Sequence, residues 1–380
     1  MPDVRDPGVR DPDVRRPTRP DPARHPRRSP SVQPTGTALV LTGPMDSSRR
    51  AAIVYNPTKV DLDTLRSAIS SAEETHGWGP SLWIETTEED PGTGQALQAV
   101  ERGASMVVAC GGDGTVRCVA QGVHGLDAAM GVIPQGTGNL LARNLHLPLD
   151  MEEAVEVAFG GTEESIDIAT VDVIRPDGSR ESADFVVMAG VGIDAQMIVN
   201  TDEDLKKKAG ILAYVQALGR SVGGGDRLRV RYRVDQDRPR RARVHSAMIG
   251  NCGELPGGIV LLPDSRADDG RLEMVLLRPG GLLGWLQIVG RVAQHAVLRR
   301  SDVARKITGP DKPIRALHYL IGQDMEIQLT HAEPFELDGD LFGEVRAFRC
   351  TIERSALRVR TTTPPPEQAP GSPHADRAGR

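Results

Sequence analysis

The chain has 380 residues, enough for two domains with tails, and its formal net charge of −6 excludes a general nucleic-acid binder, whose phosphate-facing surface needs a basic excess. No apolar run approaches the ~20 residues that span a bilayer, and the N-terminus lacks the apolar core of a signal peptide, so the chain reads as a protein made and kept in the cytoplasm. The four cysteines form no Cys-x-x-Cys pair and are expected as reduced core residues.

Residues 1–48 are rich in Pro, Arg and Asp, with Asp-Pro-Gly-Val-Arg at 6–10 echoed by Asp-Pro-Asp-Val-Arg at 11–15. Such a stretch buries too little apolar surface to offset its chain entropy and is expected as a disordered tail. Met45, just ahead of Ser-Ser-Arg-Arg and the first apolar strand, is the expected biological start, with 1–44 as an upstream extension. From 51 to about 147, apolar strands at 51–55, 81–85, 105–110 and 130–133 alternate with helical runs at 61–75, 93–102 and 116–123. Strands buried on both faces with helices between them make a doubly wound, mostly parallel α/β sheet. After about 165 the pattern turns to period two, as in Leu228, Val230, Tyr232 and Val234, which predicts an antiparallel, sandwich-like β-rich domain. Two helical stretches, near 203–219 and 281–298, interrupt it. The expected division is an α/β domain over 49–164, a β-rich domain over 165–344 and a Pro- and Gly-rich tail at 363–380, with 345–360 available to complete the first domain.

The chemistry gathers in the loops after the parallel strands, where ligands of doubly wound sheets bind. The third strand runs into Gly111-Gly112-Asp113-Gly114-Thr115. Glycines there let backbone N–H groups close on a phosphate, and the helix that follows adds its positive end. Asp113 would repel that anion unless it holds Mg²⁺, directly or through water. The neighbouring loops are Asn56-Pro57-Thr58-Lys59, Thr86-Thr87 and Pro134-Gln135-Gly136-Thr137-Gly138-Asn139. Gly114-Thr115 and Gly136-Thr137 offer N–H groups and hydroxyls to a polyphosphate from two sides. No Gly-x-x-x-x-Gly-Lys-Ser/Thr occurs, which excludes a P-loop. Gly190-Val191-Gly192-Ile193-Asp194-Ala195 mimics a dinucleotide fingerprint, but it lies in the period-two region without a βαβ unit and is read as a decoy.

The Asn56-Pro57 start, the Gly111 to Thr115 turn and the Pro134 to Asn139 loop are followed by Asp268-Asp269-Gly270-Arg271-Leu272 and Asp338-Gly339-Asp340. This series resembles the bacterial diacylglycerol kinase family, related to sphingosine kinases, over most of the chain. Gly-Gly-Asp-Gly alone is shared with NAD kinases and phosphofructokinases; the Asn-Pro start and the late Asp-Gly motifs narrow the resemblance to lipid kinases. It implies ATP- and Mg²⁺-dependent phosphoryl transfer to a lipid hydroxyl, between a nucleotide-binding α/β domain and a lipid-binding β domain. By the same resemblance, Asn56, Pro57, Thr58, Lys59, Val60, Thr86, Thr87, Gly111, Gly112, Asp113, Gly114, Thr115, Thr137 and Asn139 hold the nucleotide. Asp269, helped by the carbonyls of Arg266 and Arg271, ligates a structural Mg²⁺. Catalysis falls to Asp113, beside metal and phosphates, and to Asp340, where the family usually carries Glu as general base. Losing one methylene withdraws that carboxylate by about 1.5 Å, a misplacement of the order that costs about a hundredfold in rate unless the backbone compensates. Diacylglycerol is the expected acceptor, with a sphingoid or ceramide-type lipid and a nucleotide- or lipid-sensing pseudokinase as alternatives.

A lipid acceptor implies peripheral contact with the inner face of a membrane. Leu282, Leu286, Val289, Ala293 and Ala296 recur at helical spacing with Trp285, Arg291, Arg299 and Arg300 nearby, as an interfacial helix would. Lys206-Lys207-Lys208 is a second candidate for anionic lipid. A helix packed on its own domain and a solvated helix face give the same two patterns. No nucleic-acid partner is expected, and a homodimer is left open.

Overall fold

Ala51-Ala52-Ile53-Val54 and Val107-Val108-Ala109-Cys110 carry no side chain that water would welcome, so each forms a strand covered on both faces, with every one of these residues fully buried. The computed structural model describes residues 49–192, 227–256, 259–279 and 316–362. Both tails, the helical stretches near 203–219 and 281–298, and Lys206 to Lys208 lie outside the described residues.

Strands β1 (Arg50–Tyr55), β2 (Gly79–Glu85), β3 (Met106–Gly111) and β4 (Ala129–Pro134) run parallel in the order β4-β3-β1-β2. Helices α1 (Leu62–His76), α2 (Thr93–Glu101) and α3 (Asp113–Val123) alternate with them, and α4 (Leu140–Asn144) and α5 (Met151–Gly160) follow. Asp61 caps α1 by accepting from the N–H groups of Asp63 and Thr64, and Gly77 ends it at φ 69°. Helix α3 starts at Asp113, three residues before the apolar period begins, directly after the extended N-cap Gly112.

The rest of the described chain is β: β5 (Thr162–Ile174), β6 (Arg180–Phe185), β7 (Met188–Val191), β8 (Leu228–Val234), β9 (Arg240–Val244), β10 (Ser246–Gly250), β11 (Glu254–Leu255), β12 (Ile259–Val260), β13 (Leu272–Leu277), β14 (Leu317–Gly322), β15 (Asp324–Leu337) and β16 (Asp340–Thr361). Its pairings are antiparallel. The exception is at the C-terminal end of β16, where Val359 lies parallel to Met130 of β4. Strand β16 thereby joins the parallel and antiparallel parts into one sheet ordered β14-β13-β10-β7-β15-β16-β4-β3-β1-β2. Gly190 sits in β7 between β10 and β15, where a Cβ would press on Ala247 and Met248 of β10; close strand approach, not a dinucleotide, explains this glycine. Cys110, Cys118, Cys252 and Cys350 are all unpaired and buried. Among the described residues no helix is long and apolar enough to cross a membrane.

Candidate active site

All four parallel strands end on the same edge, so their loops share one side of the sheet. The Asn56 side chain folds back to accept from the N–H and hydroxyl of Thr58, at 2.9 and 2.8 Å, which fixes the first loop. Pro57, Thr58 and Lys59 stay exposed, while Val60 packs partly against the core. One strand further out, Thr86 is buried and donates its N–H to Tyr55, and the Thr87 hydroxyl accepts from the N–H of Asp90.

Glycine at 111, 114 and 136 has a separate steric reason at each position. A Cβ on Gly111 would lie 2.6 Å from the Thr115 hydroxyl, which folds back and is buried. A Cβ on Gly136 would lie 2.7 Å from Cα of Gly112, so the two phosphate-type loops touch through bare backbone. Gly112, the N-cap of α3, supplies no side chain, which leaves the first N–H groups of that helix uncapped. Thr137 is exposed at the tip of the second loop, and Asn139, at φ 48°, ties that loop by accepting from the Gly136 N–H at 2.8 Å.

Asp113 joins the loops. Its two carboxylate oxygens accept from the N–H groups of Asn139 and Leu140, at 2.9 and 2.5 Å, so a residue in the first turn of α3 caps α4. Burial pushes its carboxyl up to about 6, the Leu140 hydrogen bond pulls the other way, and the charge of Asp338 adds to the rise. The motif Asp338-Gly339-Asp340 forms the turn between β15 and β16, with positive φ at Asp338 (50°) and Gly339 (91°). Asp338 is buried and accepts from three N–H groups, Val186, Val187 and Met188, at 2.8–2.9 Å. It holds the turn so that Asp340 points back across the site: a Cβ on Gly114 would lie 2.6 Å from Oδ2 of Asp340.

Partial enclosure raises the Asp340 carboxyl above its ordinary range, opposed by the positive charges of Arg117 and Lys59. Lys59, exposed on the first loop, acts there through its charge. Arg117 was not singled out by the sequence. It stands on α3, its guanidinium 5.9 Å from the Phe342 ring, with Nε buried and without a hydrogen bond among the described residues. Its signal was present as a cation one helical turn after Asp113, but a helical arginine is ordinarily a solvated one.

Asp269 stands apart from this cluster. The turn carrying it is held by the fully buried Asp167, which accepts from the N–H groups of Gly270 and Ser355, and by Arg354, which donates to the Asp269 carbonyl. The charges acting on Asp269 come from Arg271, Asp167 and Asp268; burial is the leading cause of its raised carboxyl. Arg266 is paired to Asp268. One oxygen of Asp269 accepts from the Arg271 N–H. An all-oxygen set of one carboxylate and main-chain carbonyls fits a hard, largely hydrated cation, whose charge would relieve that raised carboxyl. Among the described residues no group of three or more His, Cys, Asp or Glu side chains could hold a metal.

Glycine loops meeting over an uncapped helix N-terminus, with a carboxylate laid against them, are the working parts of a phosphotransferase. Comparison with known proteins agrees. The diacylglycerol kinase catalytic domain family matches residues 50–171. A protein named "Probable lipid kinase YegS-like" from Stenotrophomonas maltophilia is 30% identical over 235 residues, covering 60% of this chain and 73% of that one. The diacylglycerol kinase of Staphylococcus carnosus is 28% identical over 258 residues, covering 65% and 79%. A crystal structure of a diacylglycerol kinase from Bacillus anthracis shares the fold with a TM-score of 0.60 at 16% identity, covering 83% of this chain and 98% of that one. The chain belongs to the diacylglycerol kinase family of lipid kinases, and its reaction class is phosphoryl transfer to an alcohol group.

Proposed function

We propose that the protein transfers the γ-phosphoryl group of Mg²⁺-bound ATP to the hydroxyl of diacylglycerol or a related lipid, with Asp340 as general base. The observation that carries this reading is the contact of the Asp340 carboxylate with Gly114, inside the turn suited to the phosphates. The uncapped N–H groups at the start of α3 and the Gly136 to Asn139 loop receive the phosphate oxygens from two sides, and Lys59 adds positive charge. The lipid oxygen attacks the γ-phosphorus as the bond to ADP breaks, and the hydroxyl proton passes to Asp340. Its missing methylene is offset by position, since the Asp338-Gly339 turn already lays the shorter side chain on Gly114. Asp113 keeps the two loops in register by its hydrogen bonds. Asp269, with the Arg266 and Arg271 carbonyls, would hold a second, structural Mg²⁺ that stiffens its turn.

The test is transfer of labelled phosphate from ATP to a panel of diacylglycerol, sphingoid base and ceramide in mixed micelles. The wild type is expected to label diacylglycerol, and Asp340→Ala to lose about 10²- to 10⁴-fold while still binding ATP. Full activity in Asp340→Ala removes it as the base, and ATP binding without transfer to any lipid makes the protein a sensor.

A further inference from the structure

Strand β8 alternates strictly: Leu228, Val230, Tyr232 and Val234 turn inward, Arg229, Arg231 and Arg233 outward. On β9, Arg241 and Arg243 share that outward face. The register sets Arg229 directly opposite Arg243 and Arg231 directly opposite Arg241. Cβ atoms of such pairs lie about 5 Å apart, and like charges so placed destabilise a sheet. At the far end of β8 the charge is neutralised, since Arg233 donates to Glu326 at 3.0 Å. Among the described residues, none of Arg229, Arg231, Arg241 and Arg243 has a carboxylate partner. Together with Arg227 and Arg278 they line an open cleft of about 1340 Å³. Four mutually repelling guanidinium groups left on one face among the described residues call for an anionic partner.

We infer that the outward face of β8–β9 binds the phosphate headgroups of anionic phospholipids and docks the protein on a charged bilayer surface. Guanidinium groups grip phosphate oxygens bidentately, and an array of them follows a plane of headgroups. The choice of a lipid partner rests on the lipid-kinase reading, whereas the excess of positive charge does not.

The experiment is co-sedimentation of the full chain with phosphatidylcholine vesicles, with and without phosphatidylglycerol, at rising salt. Wild type is expected to bind the anionic vesicles only and to release as salt screens the contact. The variants R229Q/R243Q and R231Q/R241Q are each expected to bind about 30-fold more weakly, at about 1 kcal/mol per arginine. Their melting temperatures should hold or rise, because a repulsive pair is gone, and R233Q/E326Q, which removes a neutral pair, should bind as wild type. Transfer to a water-soluble short-chain diacylglycerol without vesicles should be unchanged in both double variants. Equal vesicle binding by wild type and the double variants overturns the inference, as does tighter binding to duplex DNA than to anionic vesicles at one salt concentration. If no lipid is phosphorylated yet the variants lose vesicle binding, the kinase reading fails and the docking surface stands.

Discussion

As the proposed base, Asp340 would accept a proton in a place that discourages its charge. Enclosure lifts its carboxyl, and the two cations that counter this, Arg117 and Lys59, come from different elements. A base works only when deprotonated, so the acid limb of the rate profile follows the pKa of Asp340. Removing a nearby cation takes away an influence that lowers that pKa, so the limb moves to higher pH. Arg117→Met is therefore expected to shift the acid limb of kcat upward, with activity recovering at alkaline pH. A uniform loss at every pH would instead mean that Arg117 acts only through packing on Phe342.

At the scale of loops and helices, two glycines allow the proposed nucleotide holding and the proposed proton removal to be tested separately. A Cβ on Gly136 meets main chain, Cα of Gly112, which cannot move without parting the two loops. A Cβ on Gly114 meets the end of a side chain, Oδ2 of Asp340, which can swing away. Gly136→Ala should weaken ATP binding roughly tenfold or more, the worth of one charge-assisted hydrogen bond at about 1.5–3 kcal/mol. Gly114→Ala should leave the KM for ATP near wild type and lower kcat by about a hundredfold, the cost of a 1 Å misplacement. Steady-state kinetics with ATP varied distinguishes them, and matching profiles for the two variants would mean that the loops respond as one unit. These elements were legible in the sequence because a parallel strand ending in glycine is a local pattern, as was the Asp-Gly turn. What holds them was not. The three N–H groups on Asp338 come from 150 to 152 residues away, and those on Asp167 from 103 and 188. A carboxylate that caps distant backbone looks in sequence like any other acid, and the α3 start was misread because Asp113 and Gly114 break the apolar period although they continue the helix.

Across the whole molecule, the change from period-three to period-two texture suggests two bodies, yet β16 belongs to both. It pairs with β15 and β5 along its length and reaches β4 at Val359. Leu357, opposite Ile166, is 1% exposed and shares one apolar cluster with Ala52 and Val54 of the parallel part and with Met188 and Val275 of the antiparallel part. A core continuous through a shared strand couples the two parts, since neither can open without exposing side chains that the other covers. Leu357→Ala should therefore cost about 2–5 kcal/mol, the usual penalty for a buried leucine, and lower a single calorimetric transition whose measured and van't Hoff enthalpies agree. Two transitions, with only the one lacking ATP protection shifted, would mean that the parts unfold separately and that β16 merely spans them. With one transition, ATP bound at the strand ends of the parallel part raises the melting point of the β-rich part as well, because ligand that binds only the native state stabilises everything unfolding with its site.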